Sequence, residues 1–231
     1  MRRVAFIILC ICAVLGISLF IRSQVFLRLA KAQAQKEHAE EKDVLNSAPG
    51  TPRQLSTVDY TNGVSVAVAG VRLGFPSDRF TRDTNPEREN VHLYHSRYRV
   101  MVMPSADSKM FAPVMQFVGE TNFYRFIQTA YNATEGQIQE QSSLRALERH
   151  LILLKAKSMA APVGFDSLCA EFDRGDLHGF IVGDPTRNKH LYIRFYLARQ
   201  EQFVDLGLIA KQPLQMSDIE ELISVLKVED K

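Results

Sequence analysis

The chain has 231 residues, of which 46% are hydrophobic and 23% charged, and its formal net charge is +2. A charge so close to neutral argues against nucleic acid as the main partner, because nucleic-acid binding needs a strongly basic surface. The length and the apolar content are sufficient for one domain that buries its own core.

The N-terminus carries the clearest signal, an apolar run from Val4 to Ile21 without a single charge. As a helix the run would be about 27 Å long, close to the ~30 Å thickness of a hydrocarbon core. We therefore predict a transmembrane helix within a membrane anchor at residues 1–23, which makes the membrane a partner. A removable signal peptide is the alternative, since Arg2 and Arg3 form the positive segment that both need.

The charges around this run favour one orientation. Arg2, Arg3 and the terminal amine favour a cytoplasmic N-terminus, and a large domain follows the run. The sequence thus predicts a single-pass membrane protein with its domain outside the cytoplasm, most readily in a bacterial periplasm. Four basic residues after the run would then contact anionic head groups: Arg22, Arg28, Lys31 and Lys36.

Residues 24–59 have the composition of a stalk and a linker. The segment from Gln24 to Ser47 is rich in Ala, Gln, Lys and Glu and has no Gly or Pro, which favours a helix. Its heptad-like positions hold too few large apolar residues for a coiled coil. Ala48 to Pro52 then ends the helix. We predict a solvated helical stalk and a linker, followed by a globular domain at residues 60–231.

Two β-prone segments open this domain. Val64 to Phe75 is rich in Val and interrupted at Gly70, and Val91 to Met103 ends at Pro104. β-Branched and aromatic residues favour strands, whereas Pro removes a ladder hydrogen bond. We predict strand structure on both sides of a polar loop at residues 77–90.

The hydrophobic period then changes to that of helices. Apolar residues fall on one helical face in Asn122 to Thr134 and again in Ser143 to Ser158. Met110 to Val118 stays open between helix and strand, because it is apolar but contains Pro113. We expect two helices, or one helix with a break at Gly136, packed on a sheet.

The last seventy residues predict a meander of four strands separated by short turns. Along the third strand Leu191, Ile193, Phe195 and Leu197 alternate with polar residues, as in a strand with one buried face. Ser217 and Glu220 have the spacing of a capping box before a closing helix. The fold class is therefore α+β, an antiparallel sheet covered by helices. The four strands are Phe165 to Phe172, Leu177 to Gly183, His190 to Ala198 and Phe203 to Ala210.

An opening strand ends in Gly74-Phe75-Pro76, and a hairpin, helices and the meander follow before a closing helix that ends Ser224-Val225-Leu226-Lys227. This order resembles the PsbP-like family, the α/β/α sandwich of the photosystem II extrinsic P subunit and of bacterial exported proteins, over roughly Val64 to Lys227. The resemblance implies a non-catalytic binding or assembly module. The stalk and the α+β layout are also similar to the nuclear-transport-factor-like periplasmic domain of type IV secretion scaffolds.

The sequence offers no catalytic, cofactor-binding or metal-ligating pattern. It has neither a GxSxG elbow nor a phosphate-binding GxxxxGK loop. His92 and His95 point to opposite faces of a strand and are not expected to share a metal. Cys169, on a predicted strand, is interpreted as a small buried hydrophobe. Four polar residues are explained by turn chemistry: Asp173, Asp176, His178 and Asp184.

Tyr and Arg side chains are concentrated on predicted strands, and both residue types are enriched in binding hot spots. We therefore predict a partner-binding face made of Tyr94, Arg97, Tyr98, Tyr192, Arg194 and Tyr196. The alternative is ordinary cross-strand packing of Tyr with Arg on a solvated sheet.

The predicted function is a membrane-anchored, extracytoplasmic protein-binding or assembly module without catalytic activity. Its partner would be another membrane or extracytoplasmic protein, with no cofactor and no nucleic acid. The alternative is an anchored hydrolase or a small-ligand-binding protein whose site forms only in the fold.

Overall fold

Strands and helices alternate in blocks along the chain. A computed structural model describes residues 22–36, 47–83, 91–160, 169–185 and 190–230. The strands are β1 (Arg53–Gln54), β2 (Gly63–Val68), β3 (Val71–Pro76), β4 (Thr81–Arg82), β5 (Val91–Tyr94), β6 (Tyr98–Asp107), β7 (Cys169–Asp173), β8 (His178–Val182), β9 (His190–Leu197), β10 (Gln202–Ala210) and β11 (Lys227–Asp230). The α-helices are α1 (residues 22–36), α2 (Ser108–Val118), α3 (Phe123–Asn132), α4 (Leu144–Ala160) and α5 (Met216–Val225), with a 3₁₀ helix at Glu135–Glu140.

The main sheet has eight strands in the order β1-β7-β8-β9-β10-β6-β5-β4. β7 to β10 pair antiparallel with their neighbours in sequence, so the predicted meander is confirmed. β1 joins the sheet in parallel with β7. A second sheet has the order β11-β3-β2. The α+β class with a large antiparallel sheet is therefore correct.

One face of the main sheet packs against the small sheet and α5. Leu191, Ile193, Phe195 and Leu197 all point into this core, as their alternation predicted. Val66, Leu73 and Phe75 reach it from the small sheet, and Ile219, Leu222 and Ile223 reach it from α5.

The other face carries a helical layer built from α1, α2, α3, α4 and the 3₁₀ helix. Asn122 caps α3 by accepting a hydrogen bond of 2.9 Å from the amide of Arg125, which fixes where the helix begins. α1 also packs on this core through Leu27 and Ala34, and the Nζ of Lys31 donates to the Gln139 carbonyl at 2.8 Å. The predicted stalk is thus helical at residues 22–36, but it lies against the helical layer instead of being solvated on all sides.

The predicted transmembrane helix needs correction. No helix in the described residues is long and apolar enough to cross a membrane. The run from Val4 to Ile21, on which the prediction depended, lies outside those residues.

The linker also contacts the folded part before Tyr60. The amide of Leu55 donates to the Asp173 carbonyl at 2.9 Å, and the amide of Val58 donates to the Ser224 carbonyl at 2.8 Å. These are long-range partners, so no local pattern in residues 48–59 could indicate them.

Three local predictions differ from the structure. Val64 to Phe75 is a hairpin, not one strand, because Ala69 and Gly70 both have positive φ, as a tight hairpin turn requires. Pro104 does not end β6, since it lies beside an irregular register with β10 that tolerates its missing N–H.

The cap of the closing helix is the third difference. The helix begins two residues earlier than predicted, with Gln215 as N-cap and Asp218 accepting from its amide at 2.8 Å. Asp218 also binds Arg97, a distant partner that the Ser217 and Glu220 spacing could not reveal.

We expect Gly179→Ala to destabilise the protein. A Cβ atom at this position of β8 would lie 2.0 Å from the Arg194 carbonyl oxygen, so the strands must move apart, at a cost of about 1–3 kcal/mol. Gly136→Ala is the matched control, because its Cβ would meet only Thr134 Oγ1 at 4.0 Å. Urea unfolding of both variants measures the difference, and equal midpoints would contradict the close approach.

Candidate recognition surface

The six predicted binding residues do not form one face. Tyr98 points into the core shared with the small sheet, where its ring lies 4.4 Å from His95 and 6.3 Å from Phe80. Burial, followed by the charges of Glu221 and Asp218, raises the pKa of Tyr98. This tyrosine is therefore a neutral core residue.

Arg97 lies in the turn between β5 and β6. Its guanidinium donates to Asp218 on α5, on the side of the sheet opposite to the helical layer. It therefore joins a turn to the closing helix and is not beside Tyr192 or Arg194.

Arg194 is buried beneath the helical layer. Its Nε and Nη2 donate to the two carboxylate oxygens of Asp205, each at 2.8 Å, and its Nη1 donates to the Tyr131 hydroxyl at 2.9 Å and to the Ala160 carbonyl. Burial would lower the pKa of Arg194, but Tyr131 and Asp205 outweigh it and raise the pKa. The guanidinium is thus a permanent charge that ties the sheet to α3 and to the end of α4.

Tyr196 belongs to an aromatic cluster under α3. Its ring centroid lies 5.1 Å from that of Phe203, 5.6 Å from that of Tyr124 and 6.4 Å from that of Phe123. Burial, then the charge of Glu201, raises the pKa of Tyr196. This side chain holds the helical layer on the sheet and is not open to a partner.

Tyr94 and Tyr192 do share a face, the one that also carries the helical layer. Strand register places side chains in two neighbouring rows there. The first row is Tyr94, Arg99, Ile209 and His190, and the second is His92, Met101, Gly207 and Tyr192. The next row contains Asp205 and Arg194, where α3 begins to cover the sheet.

These rows, together with Met103 opposite Asp205 in the third row, define a surface that we name the sheet patch: Tyr94, Arg99, Met101, Met103, Tyr192 and Ile209. Tyr94 is 41% exposed and the other five are partly buried. The patch crosses β5, β6, β10 and β9, so rigid paired strands support every member. Sequence reasoning found its two tyrosines but did not indicate the two methionines or Ile209.

Gly207 lies at the centre of the sheet patch. A Cβ atom here would meet Met101 Cε at 3.4 Å, Tyr192 Cε1 at 3.5 Å and Met103 Cε at 3.6 Å. The Met101 and Met103 side chains and the Tyr192 ring therefore cover the backbone of Gly207, which has no side chain of its own. Methionine side chains adapt their shape to different contacts, so this centre can remodel when it is covered.

The polar groups of the patch are suited to contact and not to reaction. Arg99 Nε is buried and has no hydrogen-bond partner among the described residues. Burial, then the charge of Asp205, raises the pKa of Tyr192, so its hydroxyl stays protonated at neutral pH. An arginine and a neutral phenol can donate hydrogen bonds, but neither is placed as a base or a nucleophile.

The other sequence candidates are placed as follows. His92 points to the face of the sheet patch, whereas His95 stacks on Phe80 and Tyr98 on the opposite face. Asp173 accepts from the amide of Gly175 at 2.7 Å in its turn. Within the described ranges, no three His, Cys, Asp or Glu residues are grouped to hold a metal ion. Cys169 begins β7.

The structure adds one feature that the sequence did not indicate, an apolar groove of about 330 Å³ between α2 and α4. Phe111, Val114 and Phe117 line one side, and Ile152 and Met159 line the other. α2 could not be assigned from the sequence, because Met110 to Val118 contains Pro113.

Comparison with known proteins gives no relative: no family model, no curated protein and no solved structure matches the chain.

We expect Asp205→Ala to cost about 3–5 kcal/mol of unfolding free energy, because it leaves the Arg194 guanidinium buried without its carboxylate. The double variant Arg194→Met/Asp205→Leu removes both charges and should lose less. Urea unfolding of the three proteins measures this order. A single variant as stable as the parent would contradict the buried pair.

We expect the stability of the protein to fall as the pH decreases below about 6.5. His150 Nε2 lies 2.9 Å from the Thr134 carbonyl, and burial lowers the pKa of His150 in the fold. As the pH falls, His150 is therefore protonated in the unfolded chain before it is protonated in the fold. The contribution of His150 to stability is complete above its ordinary pKa and is lost as the pH falls toward its lowered pKa in the fold. His150→Gln should show a smaller loss between pH 7 and pH 5 in urea unfolding, and an unchanged loss would contradict this.

Proposed function

We propose that the chain is a non-catalytic protein-binding module that recognises its partner through the sheet patch. The observation that carries the proposal is one continuous, partly exposed surface of Tyr, Arg and Met on paired strands. These residue types are enriched at the centres of protein interfaces.

The geometry of the patch supports binding to another protein surface. The methionines and Tyr192 over Gly207 form an apolar centre, and beside it stand Arg99 and Tyr94, whose hydroxyl donates to Asp83 Oδ2 at 3.1 Å. An apolar centre with polar neighbours is the usual arrangement of a specific interface. Rigid strands also lower the ordering cost of binding, because only side chains need to adjust.

The partner we propose is a membrane or extracytoplasmic protein. The support comes from the sequence, in which the apolar N-terminal run and its flanking charges favour a domain outside the cytoplasm. The resemblance to the PsbP-like family, which implies a binding or assembly role, agrees with this proposal and stays a prediction.

Site-specific photo-crosslinking tests the proposal in cells that produce the full chain. A benzophenone amino acid in place of Tyr94 should form one protein adduct of discrete mass, since Tyr94 is exposed at the edge of the patch. The matched control is the same replacement at Val58, an exposed apolar residue outside the patch. Wild-type chain produced in the same cells should compete the adduct away.

A second substitution separates recognition from chance contact. Met101→Lys places a charge at the apolar centre and should reduce the Tyr94 adduct at least tenfold, while Val58→Lys should leave it unchanged. Circular dichroism and urea unfolding check that both variants are folded. Equal adducts from Tyr94 and Val58, or an adduct that Met101→Lys does not weaken, would contradict the proposal.

A further inference from the structure

The exposed large apolar side chains are concentrated on three helices. Nine such side chains are exposed in the described residues, and only Val58 and Tyr94 lie elsewhere. The other seven are Val25, Phe26 and Leu29 on α1, Met110 and Phe117 on α2, and Leu144 and Met159 on α4. All three helices belong to the layer on one face of the main sheet. Scattered single apolar residues need no explanation, but a concentration of this kind indicates a surface that is covered in use.

The groove between α2 and α4 belongs to the same layer. Phe117 and Met159 stand exposed at its edges, and Phe111 at its floor is buried in the core of the helical layer. Among the described residues that line it, Lys155 is the only charged one. The groove is therefore an apolar surface with one cation beside it.

The charges of this layer have one predominant sign. α1 carries Arg22, Arg28, Lys31 and Lys36 and no carboxylate. Residues 22–36 and 108–160 together contain ten Lys and Arg residues and four Asp and Glu residues. The whole chain has a net charge of only +2, so the basic excess is local to this layer.

We propose that the outer surface of the helical layer docks on an anionic lipid surface. We name it the helical surface and define it by Phe26, Leu29, Met110, Phe117, Met159 and Lys155. Apolar side chains would enter the boundary between head groups and acyl chains, and the basic side chains would contact lipid phosphates. This inference concerns a different surface from the sheet patch and does not depend on the proposed function.

Two observations favour lipid over a second copy of the chain. A symmetric dimer through this surface would place basic residues against basic residues, whereas anionic head groups complement them. The apolar side chains are also spread over three helices, and a fluid lipid surface needs no complementary shape.

Probe depth in vesicles tests the proposal with the full chain. Because residues 4–21 are themselves apolar enough to enter lipid, attachment to vesicles is not the measured quantity. Cys10, Cys12 and Cys169 are replaced by Ser, and a single cysteine at Phe117, Met159 or Val58 carries an NBD fluorophore. The chain is reconstituted in phosphatidylcholine vesicles with or without 30% phosphatidylglycerol, and nitroxide lipids quench the probe from within the bilayer.

We expect quenching at positions 117 and 159 to exceed that at position 58 at least threefold in the anionic vesicles, and to fall in neutral vesicles or at 0.5 M salt. Arg149→Glu/Lys155→Glu should lower the quenching at position 117. Lys211→Glu, an exposed charge outside the helical surface, should leave it unchanged.

Equal quenching at all three positions would overturn the proposal, as would quenching that neither salt nor the double variant reduces. A helical surface that instead binds a protein or a second copy would leave both probes unquenched in these vesicles, and that result also overturns it. Circular dichroism of each labelled chain confirms that the substitutions leave the fold intact.

Discussion

The ion pair between Arg194 and Asp205 fixes how the two halves of the structure meet. Its guanidinium uses two nitrogens for the carboxylate on β10 and the third for the Tyr131 hydroxyl on α3 and the last carbonyl of α4. A buried charge is tolerated only when its hydrogen bonds are made, so helices displaced by a few ångströms would leave it unsatisfied. Apolar contacts alone would allow the helices to slide over the sheet. We infer that this pair contributes more to a unique arrangement than to net stability.

The position of this pair also decides which part of the sheet remains open. From the row of Arg194 toward Tyr196, the aromatic rings of α3 and the sheet interdigitate. The next row on its other side holds Met101, Gly207 and Tyr192, of which Met101 and Tyr192 are partly exposed. Two tyrosines four residues apart on one strand therefore differ in burial: Tyr196 is buried in the core of the helical layer, whereas Tyr192 is only partly buried and packs against it.

The sequence was sufficient to predict those elements whose structure depends on residues close to one another along the chain. The meander and the helices at Asn122 and Ser143 follow from period, turn residues and caps, and all are present. It was insufficient where the partner is distant: β1 pairs with β7 across more than a hundred residues, and Asp218, which takes the capping-box place expected of Glu220, also holds Arg97. The six predicted binding residues are divided between the two sides of the sheet for the same reason. Alternation shows which residues of β9 share a face, but not which of them a helix covers.

The near-neutral net charge hides an uneven distribution that matters more for recognition than the total. Beside α5, arginines are matched by acids: Arg53 with Glu220, Arg79 with Glu221 and Arg97 with Asp218. The two exposed pairs, Arg53 with Glu220 and Arg79 with Glu221, contribute only about 0–1 kcal/mol each to stability, but all three pairs cancel the local field. On α1, the described residues offer four cations and no acid to cancel them. The low net charge therefore excludes a uniformly basic protein. It is still compatible with one basic face, because the electrostatic field within about 8–10 Å of a surface depends on the local charges and not on their sum over the chain.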